Sequence, residues 1–365
     1  MAQLSPPVKI AATAEFRAGP LITNEMLADA LGGKDVPLAC RFFGVEGRHW
    51  AAELTTGEVD PGHLSSGLAT QAGRRALERA GVAAAEIDAV ICATCTPEFL
   101  LPQTSTLVQT GLGIPDCRCL DLRAGCAGVV QALDLGAMLI ANGRARHVLV
   151  TGSDCFSPQN WPRVQDAAAR SMDDVMDAAM LSDMAAAAVL SPCEEGAHGQ
   201  LLFAASGSPR PDLDPGLVTE PLVPHRMLPF EWAPKRKMAQ PPRVSQRHNL
   251  IGSYLPEVIR EAIRAAEAAA ELTWSDFAAV IGPQANPALM RAVNEQVSLQ
   301  EVGEVLQDER KPFVIGHRIG NCPGAAVLQG YHILGQEAPP PAGSRVLLLG
   351  AESPRWTYSL LVVAT

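Results

Sequence analysis

The chain repeats itself at a spacing near half its length, and that duplication limits its fold more than any other feature. Residues 68–81 (LATQAGRRALERAG) lead into the apolar run IDAVICATC at 87–95; residues 255–268 (LPEVIREAIRAAEA) lead likewise into FAAVIGPQA at 277–285. The first member of each pair spaces its apolar residues as an amphipathic helix does, and the second reads as a buried strand. Each pair is followed by a small-residue turn, an apolar helix and a Val/Leu strand that ends in glycine. These are GCAGVVQALDLGAMLIANGRARHVLVTGSD at 125–154 and NCPGAAVLQGYHILGQEAPPPAGSRVLLLGAES at 321–353. Cys126 corresponds to Cys322, and Gly152 to Gly350. Alternating helices and buried strands predict an α/β protein with helices on both faces of its sheets. A period this long is no solenoid unit. Two similar halves are expected to pack about a pseudo-twofold axis.

The expected organisation is an N-terminal half over 1–191, an irregular connection over 192–245 and a C-terminal half over 246–365. The connection is rich in Pro, Gly and Asp and then basic and polar. It is read as a lid or tunnel wall with an edge strand near Gln200–Ala205. With 365 residues and 47% hydrophobic content the chain can bury a large core. A formal charge of −10, with no basic cluster, argues against nucleic acid or an anionic membrane as partner. The start, MAQLSPPVKIAATAEF, has no basic segment ahead of a long apolar core, so no signal peptide is expected. No apolar run approaches the roughly 18–20 residues of a membrane helix. Nine cysteines, an odd number without a paired framework, predict reduced thiols and a cytoplasmic location. A lone C-x-x-C at 92–95, with no second pair and no nearby histidine, predicts no metal site.

Cys126 stands out among the nine. Gly125, Ala127 and Gly128 flank it and permit a tight turn with close access to the backbone. The following helix is apolar nearly all round and so is expected to be buried. A thiol at its N-terminus is expected to have a lowered pKa and to act as a nucleophile beside free N–H groups that hold an oxyanion. The alternative is an ordinary small buried residue, as most cysteines are.

Several stretches together resemble ketosynthase III, the beta-ketoacyl-ACP synthase III family of the thiolase superfamily. CTPEFLLPQTSTLVQTGLG (95–113) resembles its dimer-interface and tunnel segment, and DLRAGCAGVVQALDLGAMLIANGRARHVLVTGSD its nucleophile helix and strand. MLSDMAAAAVLS (180–191) resembles the LSDGAGAVVL signature, and RIGNCPGAAV (318–327) the GN(T/S)SAAS turn. The resemblance implies a thiolase fold, two duplicated α/β halves in a five-layered αβαβα arrangement. It implies that Cys126 accepts an acyl group, that Asn321 is the active-site asparagine, and that the chain is a homodimer. Leu101 is then a candidate wall of the partner's acyl tunnel. Cys322, ahead of Pro323, is expected to be a packing residue facing the same cavity.

The pattern breaks where the family reads (V/I)PHQAN. Its catalytic histidine aligns with Pro283, while Gln284, Ala285 and Asn286 are intact. Proline carries no proton through its side chain. Loss of one donor from the site that stabilises an enolate costs about 3–4 kcal/mol, or roughly 10²–10³ in rate. His317, four residues before Asn321 on an expected strand, is the first candidate to stand in, with His225 and His248 behind it. Phe42 and Phe43 lie where the family's CoA-gripping Trp and Arg would fall, with Arg41 one place off. GAES (350–353) replaces a glycine-rich loop, so Glu352 and Ser353 narrow or acidify the pocket unless they turn outward. Arg123 is expected to answer Glu352 as a buried pair, to meet an acidic acyl group, or to make a salt bridge on the rim.

The expected function is a ketosynthase III-like acyltransferase of polyketide or other secondary metabolism. It takes an acyl group from acyl-ACP or acyl-CoA onto Cys126 and passes it to an acceptor, with an acyl carrier protein as partner and no bound cofactor or metal. Two alternatives stay open: a carbon–carbon condensing synthase with a rearranged base, and a non-catalytic subunit of a heterodimer.

Overall fold

A computed structural model describes residues 6–219, 244–270, 272–273, 276–284 and 313–365. The first sheet holds β1 (Val8–Arg17), β2 (Ala89–Ala93), β3 (Arg118–Leu122), β4 (Val148–Asp154) and β5 (Met184–Pro192), in the order β1-β5-β4-β2-β3. Strands β2, β3 and β4 are parallel, and β5 and β1 add on antiparallel. The second sheet holds β6 (Leu201–Gly207), β7 (Phe277–Ile281), β8 (Arg345–Ala351) and β9 (Tyr358–Ala364), in the order β7-β8-β9-β6. Here β7 and β8 are parallel, while β9 and β6 add on antiparallel. Strand for strand, β7, β8, β9 and β6 repeat β2, β4, β5 and β1. Leu201–Gly207 is the edge strand expected near Gln200–Ala205, and as the counterpart of β1 it belongs to the second sheet and not to an irregular connection.

Helices complete five layers. α1 (Ser65–Ala80) and α2 (Thr104–Leu112) cover the outer face of the first sheet. α3 (Gly128–Ala141) touches strands of both sheets, as does α5 (Ala326–Glu337), while α4 (His248–Ala270) covers the far face of the second. The order is αβαβα. The position of α3 explains its apolar circumference: Val129, Val130 and Leu133 are wholly buried between the sheets with Val327 and Leu328 of α5. Each such side chain contributes about 1.5–3 kcal/mol by leaving water.

Two glycines weld the halves. A Cβ on Gly152 of β4 would lie 2.0 Å from the Gly324 carbonyl oxygen, and one on Gly350 of β8 would lie 2.5 Å from the Cys126 carbonyl oxygen. Each strand end presses on the turn of the opposite half, and only a residue without a side chain allows that approach. The two turns therefore meet at one place.

Candidate active site

Chain leaving β3 tightens into a single 3₁₀ turn, Gly125–Ala127, before α3 begins. Gly125 has φ +46°, a left-handed conformation that favours glycine, and a Cβ there would also come within 3.0 Å of the Glu352 Cβ. The next residue, Cys126, is 8% exposed and lines a cavity. Cys95, Pro283, Asn321, Pro323, Glu352 and Ser353 share its wall, with Phe156, Met180, Leu181 and Leu255 as apolar lining. The paired segments Leu217–Thr219 and Val244–Gln246 contribute Leu217 and Gln246. Residues from both halves thus converge on one thiol.

Asn321 is held by its backbone: its N–H donates to the Met180 carbonyl at 2.8 Å, and its carbonyl accepts from Ser182 N–H at 2.9 Å. Its side-chain Oδ1 is buried without a hydrogen-bond partner among the described residues. A buried amide left open costs about 1–3 kcal/mol, and a polar group on a ligand would restore the pairing. Gln284 behaves in the opposite way. Its Oε1 accepts from Ile315 N–H (2.7 Å) and Gly316 N–H (3.0 Å), and its Nε2 donates to the carbonyls of Gly282 and Phe313. That clamp fixes Pro283 in the wall.

Not every expected residue joins them. Asn286 and His225 lie outside the described residues. His317 sits on a helical turn, Gly316–Ile319, and not on a strand; it is half-buried and is not among the residues lining the cavity. Its carbonyl accepts from Glu46 N–H at 2.7 Å. Arg123 is exposed and makes no ion pair with Glu352. The carboxylate accepts instead from its own loop, from Arg355 N–H and Thr357 N–H. Cys322 does not face the cavity: its thiol donates to the Met184 carbonyl at 3.2 Å, and Cys95 takes the place in the wall. Leu101 is 81% exposed, beside Phe99 and Leu100, which are also exposed.

The expected low thiol pKa is reversed. Burial, and then the carboxyls of Asp154 and Glu352, push Cys126 up to about 12. A helix N-terminus supplies up to about 2 kcal/mol in a partly buried geometry, roughly one and a half pKa units, so it offsets only part of burial plus two carboxyls. Asp154 went unnoticed in the sequence, although it ends the TGSD run of β4. Its Oδ1 accepts from Cys95 N–H and its Oδ2 from Gly324 N–H, both at 2.6 Å, which ties a loop of each half to one carboxyl. Burial raises Asp154 to about 6 in spite of those bonds. Burial also raises Glu352, opposed by its bonds to Thr357 and Arg355.

Residues 120–208, which contain the nucleophile turn, match the family profile of 3-oxoacyl-[acyl-carrier-protein (ACP)] synthase III. The chain is 30% identical over 293 residues to the beta-ketoacyl-[acyl-carrier-protein] synthase III of Rhodobacter capsulatus, covering 80% of this chain and 78% of that one. This chain belongs to the ketosynthase III family. A second family member, from Rhizorhabdus wittichii, is 35% identical over 180 residues, a match that spans 49% of this chain and only 50% of that protein. Among solved structures, AbyA1, a tetronic acid condensing enzyme, superposes with a TM-score of 0.82 at 25% identity over 98% of this chain and 100% of that one. The synthase III of Pseudomonas aeruginosa PAO1 shares the fold, with a TM-score of 0.77 at 22% identity over 98% of each chain. The ketosynthase III relatives are enzymes, and the fold here is theirs. Among the described residues, no helix is long and apolar enough to cross a membrane.

Proposed function

We propose that this ketosynthase III homologue is an acyltransferase: it loads an acyl group from acyl-ACP or acyl-CoA onto Cys126 and passes it to an alcohol, an amine or an activated carbon. The observation that carries this reading is Pro283 in the cavity wall, beside Cys126 and Asn321. A site with a nucleophile and an open asparagine amide, but with proline where the family motif has histidine, suits acyl capture better than malonyl decarboxylation. An enolate there would lack one donor, at a cost of about 3–4 kcal/mol. Acyl transfer proceeds by a covalent acyl-cysteine and two exchange steps. The altered histidine and glycine-rich positions favour a role in polyketide or other secondary metabolism, with carrier protein as the donor's handle.

A second reading, carbon–carbon condensation with a rearranged base, is favoured by the similarity to a tetronic acid condensing enzyme. Intact-protein mass spectrometry after incubation with acyl thioesters, followed by peptide mapping, separates the readings. A single adduct on Cys126, lost in Cys126→Ala, with no turnover of malonyl thioesters, supports transfer. Rapid malonyl decarboxylation supports condensation. No adduct at all supports a non-catalytic partner subunit.

A further inference from the structure

The cavity contains a carboxyl group that the acyltransferase reading has not yet used. Glu352 directly follows β8, is 4% exposed, and packs on the residue before the nucleophile: a Cβ on Gly125 would stand 3.7 Å from its Oε2. Arg355 N–H is shared by both of its oxygens at 3.2 Å, and Thr357 N–H reaches Oε1 at 3.0 Å. The Thr357 side chain bonds it as well, so three donors meet the roughly four lone-pair positions of the carboxylate and about one position remains. Among the described residues lining this cavity, Glu352 supplies the only carboxyl, and there is no His, Lys or Arg. Asp154 lies outside the lining.

The chemistry calls for a base. Burial and two carboxyls hold Cys126 above the ordinary thiol value, so the protonated thiol predominates at neutral pH. An alcohol or amine acceptor must also shed a proton as it attacks.

We propose that Glu352 is the general base of both half-reactions, a role that rests on the acyltransferase reading above. In the first, its carboxylate takes the Cys126 S–H proton as sulfur attacks the donor thioester. The donor carbon–sulfur bond then breaks, and the departing thiolate takes that proton. In the second, Glu352 takes the acceptor's O–H or N–H proton as oxygen or nitrogen attacks the acyl carbon. The bond to Cys126 breaks, and its sulfur is reprotonated from Glu352. The sum is thioester exchange followed by ester or amide formation, with no oxidant or further reactant.

Burial raises Glu352, while its bonds to Thr357 and then to Arg355 on its own loop lower it. Cys126 and Cys95 from the other half share its cavity, and its charge and that of Asp154 raise both thiols. The test is single-turnover acylation of Cys126 by a hexanoyl N-acetylcysteamine thioester, followed by intact mass from acid to alkaline pH. Wild-type rates are expected to rise along a limb set by a carboxyl above the ordinary glutamate value. Glu352→Gln is expected to be slower by roughly 10²–10⁴ at neutral pH, to lose that limb, and to recover only as alkali ionises the thiol. Glu352→Gly is expected to be rescued by added formate, which a merely structural role would not allow. An unaltered rate and pH profile in Glu352→Gln overturns the role of Glu352 alone, as does a Glu352→Gly variant that formate leaves slow. A wild-type protein that never acylates overturns the acyltransferase reading and this proposal with it.

Discussion

At position 283 a pyrrolidine ring stands in the wall where the family motif has an imidazole, while the backbone around it is held by Gln284. Pro283→His therefore introduces a donor into a clamped loop beside an asparagine whose Oδ1 has no partner among the described residues. Malonyl thioester decarboxylation is expected to rise by up to about 10², the worth of one restored donor; a release assay that detects no gain contradicts this. Asp154 acts from behind the thiol. Asp154→Asn removes a carboxylate that raises Cys126, so the pH midpoint of iodoacetamide alkylation is expected to fall. The same variant sets an amide N–H₂ against a backbone N–H of Cys95 or Gly324, so denaturant unfolding is expected to show a loss of about 1–3 kcal/mol. Cys126 was singled out by the small residues around its turn and Asn321 by the family resemblance, and the two line one cavity. The direction of the thiol's pKa was not legible. It depends on two carboxyls that approach from residues 154 and 352, which no local pattern reveals.

Elements read well where burial was two-sided. AVICA in β2 is buried at every residue, as a strand covered on both faces must be. Leu201–Gly207 gave a weaker signal because its side chains are mostly half-buried or exposed; its place is fixed by pairing with β9, more than 150 residues away. The helical turn at Gly316–Ile319 is too short to show a helical period, so it passed for the end of a strand. The strand-end glycines offer the sharpest test at this scale. In Gly350→Ala the new methyl would meet the Cys126 carbonyl oxygen and the Ala127 Cα at 2.5 Å. Overpacking against backbone typically costs about 1–3 kcal/mol. Thermal unfolding is expected to report that loss, with slower acylation of Cys126 because the turn itself must shift.

Across the whole molecule, exposure at Phe99, Leu100 and Leu101 leaves a contiguous apolar cluster next to α2. A monomer rarely leaves such a cluster in water, and the family resemblance places an interface there. We expect a dimer at micromolar concentration, dissociated by Leu101→Asp; a monomeric wild-type protein in light scattering contradicts the expectation.

The glycine contacts at 152 and 350 carry a consequence for ancestry. The reactive turn of one half is shaped by the strand end of the other, reciprocally, so the duplicated unit could not have held this cavity as a lone copy. A gene severed near residue 195 would yield two polypeptides, each with one rim of the pocket and neither with a floor. Any ancestor that carried this chemistry on the undoubled unit must have obtained the missing rim from a second molecule of itself.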